Sequence, residues 1–243
     1  YCGECRFCRG GDVNLCDDRV VLGVSCGEYR RNGAFAEFVV VPERIALSLP
    51  DEMPFAEAAL LEPAAVALHA VSLSPGEHRG TALVIGAGMI GLLTMQAARA
   101  AGFERVLIAD IDASRLELAK ALGASDVLHA GGMELVHCVK EMTGGFGVDV
   151  AFEAVGRDET VSTAIEAVRK GGTVVLIGNV TPTVALPLQK VVSRQIRLQG
   201  TAASAGEYRQ AIEAISRGTM RVAPLISAIA PLVDGPEWFE RLY

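Results

Sequence analysis

Hydrophobic positions along the chain form two alternating patterns, short continuous apolar runs and longer segments with helical spacing. The clearest case starts with the apolar run at residues 82–85, passes through the glycine-rich residues 86–91, and continues with apolar positions at helical spacing to residue 101. Gly102 then precedes a second apolar run, residues 106–109, which ends in Asp110. This order predicts a strand, a turn, a helix and a second strand.

The same alternation continues toward the C-terminus and predicts a doubly wound parallel α/β sheet. Helices are predicted at residues 113–122, 133–142, 159–169, 187–194, 207–217 and from about Pro236, and strands at 126–128, 148–153, 173–177, 196–202 and 226–233. Upstream, residues 20–48 have a strand-like pattern that includes the run 36–41, and they predict a small β domain. Residues 54–71 predict one mostly buried helix that starts at Pro54.

The glycine-rich segment predicts a dinucleotide site because it follows a strand and opens a helix. Gly86 permits the tight turn, Gly88 leaves room for a pyrophosphate, and Gly91 lets the helix approach the sheet. The backbone N–H groups of Met89 and Ile90 lie at the predicted helix N-terminus, where a phosphate is favoured. A glycine-bearing turn that binds nothing is the alternative.

Asp110 stands 19 positions after Gly91, where a carboxylate typically accepts hydrogen bonds from a ribose diol. A 2′-phosphate would face this carboxylate, so the sequence favours NAD over NADP. Ile111 follows directly, and Arg115 is expected along the adenine side. Ligands of such sheets bind outside the carboxyl ends of the strands. The corresponding loops carry two further groups of predicted cofactor-binding residues, Ala154, Val155 and Gly156, and Ile177 and Gly178, although ordinary turn chemistry also accounts for them.

Four cysteines at the start of the chain, Cys2, Cys5, Cys8 and Cys16, have the spacing C-x2-C-x2-C-x7-C. Four thiolates so close together can surround one ion tetrahedrally, and a site with no open position is a structural zinc site. A disulfide framework and an iron–sulfur cluster are the alternatives. Cys26 stands apart from this group and is predicted to be a buried structural thiol.

Composition and charge make several kinds of partner unfavourable. The 243 residues carry a net charge of −7 with no basic block, which disfavours nucleic acid and anionic membrane surfaces. Charged residues interrupt every apolar segment well before 18 residues, and there is no secretory signal, so a cytoplasmic protein is expected. The sequence begins at Tyr1 and ends within a predicted helix, so we expect a fragment or a natural start further upstream.

Several motifs together resemble the zinc-dependent medium-chain dehydrogenases, most closely the polyol branch of sorbitol and polyol-phosphate dehydrogenases, with threonine dehydrogenases nearby. They are, in order, the four cysteines, residues 33–38, Glu62-Pro63 with His69-Ala70, residues 86–91, and Asp110. The resemblance implies a GroES-like β domain, here partly missing, interrupted by a Rossmann domain. The implied limits are residues 1–66 for the catalytic-domain part, 67–216 for the NAD-binding domain, and 217–243 for the return segment.

The resemblance also implies a role for Glu62 at a catalytic zinc, as a direct ligand or through a water molecule, whereas the residues alone favour a partly exposed helix glutamate. It implies hydride transfer from a secondary alcohol of a polyol-like substrate to NAD by a homodimer or homotetramer, with residues 226–233 as an edge that joins two sheets. The family's Cys and Gly-His-Glu zinc ligands do not occur in this sequence and are expected upstream. The rival hypotheses are an NAD-binding module without catalysis and a zinc-free quinone reductase.

Overall fold

The computed structural model describes residues 1–24, 30–76 and 79–242, so Cys26 lies outside the described residues. The chain divides into two compact units, Tyr1–Ala59 together with Ala223–Tyr243, and Leu60–Val222. The domain limits inferred from the sequence, at residues 66 and 216, stay a prediction. No helix in the described part of the chain combines the length and the apolar character needed to cross a membrane.

The first unit contains little regular structure. Its elements in residues 1–59 are helix α1 (Arg6–Gly10), strands β1 (Val21–Leu22) and β2 (Arg30–Arg31), which pair in parallel, helix α2 (Phe55–Ala58), and 3-10 turns at Val13–Leu15 and Glu43–Ile45. The strand predicted at residues 36–41 is wrong for this structure, and Phe38 and Val40 are 90% and 88% exposed. A strand needs the hydrogen bonds of a neighbouring backbone. No described segment pairs with residues 36–41, so the apolar pattern alone does not form a strand there.

The second unit is a doubly wound α/β domain, as predicted. Its elements are α3 (Leu61–Ser72), β3 (Thr81–Ile85), α4 (Met89–Ala100), β4 (Arg105–Ala109), α5 (Ala113–Ala121), β5 (Asp126–Leu128), α6 (Gly132–Met142), β6 (Val148–Glu153), α7 (Asp158–Ala167), β7 (Val168–Leu176), α8 (Leu188–Ser193), β8 (Arg197–Gly200) and α9 (Tyr208–Ser216). All six strands are parallel, in the order β5-β4-β3-β6-β7-β8. The chain reverses direction across the sheet between β3 and β6. The carboxyl ends of these two strands therefore mark the place where such sheets bind ligands.

The central strands are buried on both faces, which explains their continuous apolar runs. In β3 and β4 every residue after the first is buried, and Leu83 and Leu107 have no exposed surface. They join one core cluster with Ile165 of α7 and Val174 of β7. This core holds the strand ends, and the loops that follow them, in fixed positions.

The helix predicted at residues 54–71 is interrupted and forms two helices, α2 and α3, separated by Ala59 and Leu60. Pro63 explains the break, because a proline ring inside a helix clashes with the carbonyl group four residues earlier, here that of Ala59. Pro63 is the third residue of α3, where a helix leaves its N–H groups unpaired in any case. The proline therefore favours a new helix start at Leu61.

Two further boundaries differ from the sequence prediction. The helix predicted to end at Arg169 ends at Ala167, and Arg169 lies in β7, where its Nε donates to Asp149 Oδ1 at 2.6 Å. The strand predicted at residues 226–233 is wrong, because this segment has no paired neighbour in the described residues and carries only the 3-10 turns Ala223–Leu225 and Leu232–Asp234. The helix expected near Pro236 is present as α10 (Gly235–Leu242).

Candidate functional site

The glycine-rich loop between β3 and α4 is closely packed at two glycines and open at the third. Gly86 has a φ of +97°, and a Cβ there would lie 2.8 Å from Val155 Cγ2. A Cβ on Gly91 would overlap the carbonyl oxygen of Gly86, so α4 starts directly against the end of β3. Gly88 caps α4, and a Cβ there would meet no atom within 4 Å. The space beside Gly88, where the pyrophosphate is predicted to bind, is therefore open.

Asp110 connects the end of β4 with the glycine-rich loop. Its side chain is 7% exposed, its Oδ2 accepts from the Ala87 N–H at 2.6 Å, and its Oδ1 accepts from the Asp112 N–H at 2.9 Å. Each carboxylate oxygen has a second lone pair, which a ribose hydroxyl group can use. The side chain is thus held in place for the predicted role by two backbone groups.

Two more predicted cofactor-binding residues, Ile111 and Arg115, follow Asp110 and also have exposed side chains. Arg115 is more than half exposed, with Nη1 3.7 Å from Asp110 Oδ2 and Nε 3.7 Å from Asp112 Oδ2. Ile111 is 82% exposed, and its Cγ2 lies 3.6 Å from the place where a Cβ on Gly131 would be. The exposed isoleucine side chain offers an apolar surface against which a base could pack.

A cleft of about 320 Å³ opens at the carboxyl ends of the strands and brings several predicted residues together. Gly86, Asp110, Ile111, Arg115 and Val155 all line it. The structure adds lining residues that sequence reasoning missed, namely Gly131 and Gly132 at the N-terminus of α6, and Arg157, Glu159, Thr160 and Thr163 at and after the N-terminus of α7. For the α7 residues, the available signal was the polar run at residues 157–160, which follows the buried strand β6 after three residues.

The loops after β6 and β7 pack backbone against backbone. The N–H groups of Ile177 and Gly178 donate to the carbonyl oxygen of Glu153 at 2.9 and 3.0 Å, and Ala154 donates to the carbonyl of Ile85 at 3.0 Å. Gly156 has a φ of +86°, and a Cβ on Gly156 or Gly178 would collide with the backbone of the other loop. These contacts place the loop after β7 beside the loop after β6, and the loop after β6 beside the glycine-rich loop that follows β3. Binding roles for Ala154, Val155, Gly156, Ile177 and Gly178 stay predictions.

The four cysteines form a cluster around helix α1. The sulfur atoms of Cys2, Cys5, Cys8 and Cys16 all lie within 4.8 Å of one another, and those of Cys2 and Cys8 are 3.9 Å apart. A tetrahedral zinc site with Zn–S bonds of about 2.3 Å places its sulfurs about 3.8 Å apart. Backbone N–H groups of Cys2, Glu4, Cys5 and Cys8 donate to these sulfurs at 3.2 to 3.5 Å, the outer-shell support that metal-bound thiolates receive. The arrangement fits the predicted structural zinc.

The electrostatics of this cluster also favour a cation. The Cys8 N–H lowers the pKa of Cys5 to about 6, and the Cys2 N–H lowers the pKa of Cys16. Burial, together with the neighbouring thiols, raises the pKa of Cys8 to about 12. Four thiolates this close repel one another, so a bound divalent ion is what would let all four ionise together.

Glu62 lies at the second position of α3, facing the start of α9. More than a third of its surface is exposed, and the partial burial of the remainder raises the pKa of its carboxyl group. Burial and, to a smaller extent, the Glu62 charge raise the pKa of Tyr208, the first residue of α9. Two turns along α3, the Nδ1 of buried His69 lies 2.8 Å from Glu207 Oε1. The predicted active-site glutamate therefore sits on a helix that a buried polar pair joins to α9.

Comparison with known proteins identifies both parts of the chain. Residues 90–217, more than half of the sequence, match the family described as zinc-binding dehydrogenase. Residues 1–51 match the alcohol dehydrogenase GroES-like domain. The fold predicted from the resemblance, a Rossmann domain combined with a GroES-like domain, is confirmed by these matches.

The individual relatives that the chain resembles are also dehydrogenases. The chain is 34% identical to L-idonate 5-dehydrogenase from Vitis vinifera, with 93% of this chain and 62% of that protein covered. It is 29% identical to sorbitol dehydrogenase from Bacillus subtilis, with 99% and 67% covered. A solved structure described as a zinc-binding dehydrogenase from Sinorhizobium meliloti, bound to NADP, is 30% identical with a TM-score of 0.83, covering 98% of this chain and 69% of that one.

The chain thus spans about two thirds of the length of the proteins it matches. These relatives support a bound zinc and a nicotinamide cofactor, and they include polyol dehydrogenases. The chain belongs to the zinc-dependent medium-chain dehydrogenases, an oxidoreductase family, and resembles their polyol branch.

Proposed function

We propose that this protein takes part in hydride transfer between a secondary alcohol of a polyol-like substrate and NAD. The position of Asp110 carries the proposal: its carboxylate lies at the end of β4, in the cleft, held by the Ala87 N–H of the glycine-rich loop. A ribose diol there would donate hydrogen bonds to the carboxylate, whereas a 2′-phosphate would meet its negative charge. Arg115 lies 3.7 Å away and offsets part of that charge, so the preference for NAD needs a direct test.

Different groups of residues would contact different parts of the cofactor. The N–H groups of Met89 and Ile90, with the open space at Gly88, would receive the pyrophosphate. Ile111 and Arg115 would contact the adenine. The loops Ala154–Gly156 and Ile177–Gly178, on the other side of β3, would flank the nicotinamide.

The proposal includes two zinc sites, one structural and one catalytic. The four cysteines would hold a structural ion, and Glu62 would be one member of the ligand set of a catalytic ion, directly or through water. A catalytic zinc, when bound, supplies Lewis-acid chemistry that favours the alkoxide form of an alcohol. A homodimer or homotetramer and a cytoplasmic location belong to the same proposal.

Fluorescence titrations with NADH and NADPH test the cofactor assignment. We expect the wild type to bind NADH about tenfold or more tightly than NADPH, and Asp110→Asn to lose most of that preference. Asp126→Asn is the matched control, because Asp126 pairs with Arg105 and does not line the cleft. Equal binding of both cofactors by the wild type would refute the NAD preference.

One observation favours a second candidate, an NAD-binding module without catalysis. Among residues 1–24, 30–76 and 79–242, the four cysteines form the one grouped set of side chains that could hold a metal ion. A panel of polyols with NAD and added zinc distinguishes the two functions. Turnover supports the dehydrogenase, whereas NADH binding without turnover of any polyol supports the module.

A further inference from the structure

Glu153, the last residue of β6, is a fully buried carboxylate in the middle of the sheet. Its Oε1 accepts from the N–H groups of Val155 and Gly156, both at 2.9 Å, and its Oε2 accepts from the Gly156 N–H at 3.1 Å. Within the described ranges, no Lys, Arg or His nitrogen lies within 4.0 Å of either oxygen. Both oxygens act only as acceptors, which is the bonding pattern of an ionised carboxylate. The hydrogen-bond geometry therefore supports a buried carboxylate whose charge no cationic side chain of the described residues neutralises.

The position of Glu153 relates this charge to one half of the proposed cofactor. Glu153 pairs in register with Ile85 of β3 and Leu176 of β7, so it lies beneath the loops that follow all three strands. A dinucleotide crosses the carboxyl ends of such a sheet with its pyrophosphate at the loop after β3. Asp110 places the adenosine half on the β4 side. The nicotinamide half then lies on the β6 and β7 side, above Glu153.

We propose that Glu153 makes this site discriminate between the oxidised and the reduced cofactor. The nicotinamide ring is a cation in NAD+ and is neutral in NADH, whereas the rest of the molecule is the same. A buried carboxylate acts over several ångströms because the protein interior screens it poorly. It would therefore stabilise bound NAD+ relative to bound NADH. The inference rests on the proposed function, since it requires a nicotinamide cofactor in the cleft.

The competing explanation is that Glu153 only holds the Val155–Gly156 loop. Glu153→Gln separates the two, because glutamine keeps the size of the side chain and an oxygen at the Oε1 position for both 2.9 Å hydrogen bonds. Glu153→Asp and Glu153→Asn form a second pair of matched size, and in both pairs the amide also replaces the oxygen that accepts the 3.1 Å bond from Gly156 N–H. A loop-holding role alone would weaken every ligand equally within each pair.

Calorimetric titrations of the purified protein with NAD+, NADH and ADP-ribose test the inference. In Glu153→Gln we expect the Kd of NAD+ to rise about fivefold, with less than a twofold change for NADH and for ADP-ribose, which lacks the nicotinamide. Likewise, Glu153→Asn should bind NAD+ more weakly relative to NADH than Glu153→Asp does. This second pair decides the question if circular dichroism shows that Glu153→Gln is unfolded.

An unchanged ratio of NAD+ to NADH affinity in both pairs would overturn the role of Glu153, while NADH binding by the wild type would still support the proposed function. If the wild type binds neither NADH nor ADP-ribose, the proposed function fails and this inference fails with it. The two failures are therefore distinguishable.

Discussion

Gly91 and Gly86 lie so close together that no side chain fits between them, because a Cβ on Gly91 would overlap the carbonyl oxygen of Gly86. The contact lies where β3 ends and α4 begins. It brings the N-terminus of α4, where a helix leaves its N–H groups unpaired, directly against the end of the strand. The third glycine of the loop, Gly88, is in the opposite situation, with open space around it.

Alanine substitutions should therefore separate folding from binding within this loop. Gly91→Ala should lower the melting temperature by several degrees or prevent folding, since the overlapping atom belongs to the backbone. Gly88→Ala should keep the melting temperature, because its φ of −71° and ψ of −177° suit alanine, while it weakens NADH binding about tenfold or more by filling the pyrophosphate position. Thermal unfolding and NADH titration measure both effects. Wild-type NADH affinity in Gly88→Ala would contradict the placement of the pyrophosphate.

Asp112 caps α5 and provides a pH-dependent contribution to stability. Its Oδ1 accepts from the Ser114 Oγ at 2.6 Å and from the Ser114 N–H at 2.8 Å, and these bonds lower the pKa of Asp112 below its ordinary value of 3.8. A lowered pKa in the folded state means that the stabilisation is complete above the unfolded value and is lost as the pH falls through the folded value. Asp112→Ala should therefore have a lower melting temperature than the wild type at pH 7.

The difference between the two proteins should shrink as the pH falls below 3.8. Asp112→Asn is the control, since asparagine keeps an acceptor but does not titrate, and its melting temperature should not show this wild-type pH dependence. A wild-type advantage over both variants that stays constant between pH 3 and pH 7 would show that ionised Asp112 does not stabilise the helix.

The cysteine cluster should account for one zinc ion per chain. Cys5→Ser removes one of the four ligands and should lower the zinc content of the purified protein by about one equivalent. NADH binding should persist, because Asp110 and the glycine-rich loop belong to the other compact unit. Cys138→Ser, in α6 and outside the cluster, should keep the full zinc content. Elemental analysis provides the measurement, and an unchanged content in Cys5→Ser would exclude the structural zinc site.

The His69–Glu207 pair should stabilise the packing of α3 against α9. The two side chains are only 9% and 13% exposed, and the second oxygen of Glu207 accepts from the Ala205 N–H at 2.6 Å. Glu207→Ala removes both interactions and should lower the free energy of unfolding by about 1–3 kcal/mol. Glu213→Ala, which removes an exposed pair with Arg217 on the same stretch of chain, should change it by less than about 0.5 kcal/mol.

A double-mutant cycle with His69→Asn isolates the pair itself, because His69 has further interactions that Glu207→Ala leaves in place. A coupling free energy near zero would mean that the 2.8 Å contact contributes nothing to stability.

Elements with a local signal could be predicted from the sequence. Strands β5 and β6 have the predicted limits, residues 126–128 and 148–153. For β6 the reason is that a buried parallel strand is a short, mostly apolar run bounded by turn residues. The spacing of four cysteines within 15 residues likewise carries its own prediction, since a loop that short keeps the sulfurs close together. The glycine-rich loop followed by Asp110 could also be predicted from a local pattern in the sequence.

Tertiary structure alone decided which groups meet. The apolar run at residues 36–41 was a plausible strand, yet strand formation depends on a partner that the described residues do not supply. Glu153 had the pattern of an ordinary strand end, and only the packing of the loops after β3, β6 and β7 makes it a buried charge beneath the cleft. The physical reason is the same in both cases. Periodicity reports how each segment is buried, whereas hydrogen-bond partners and buried charges depend on residues that the fold brings together from distant parts of the chain.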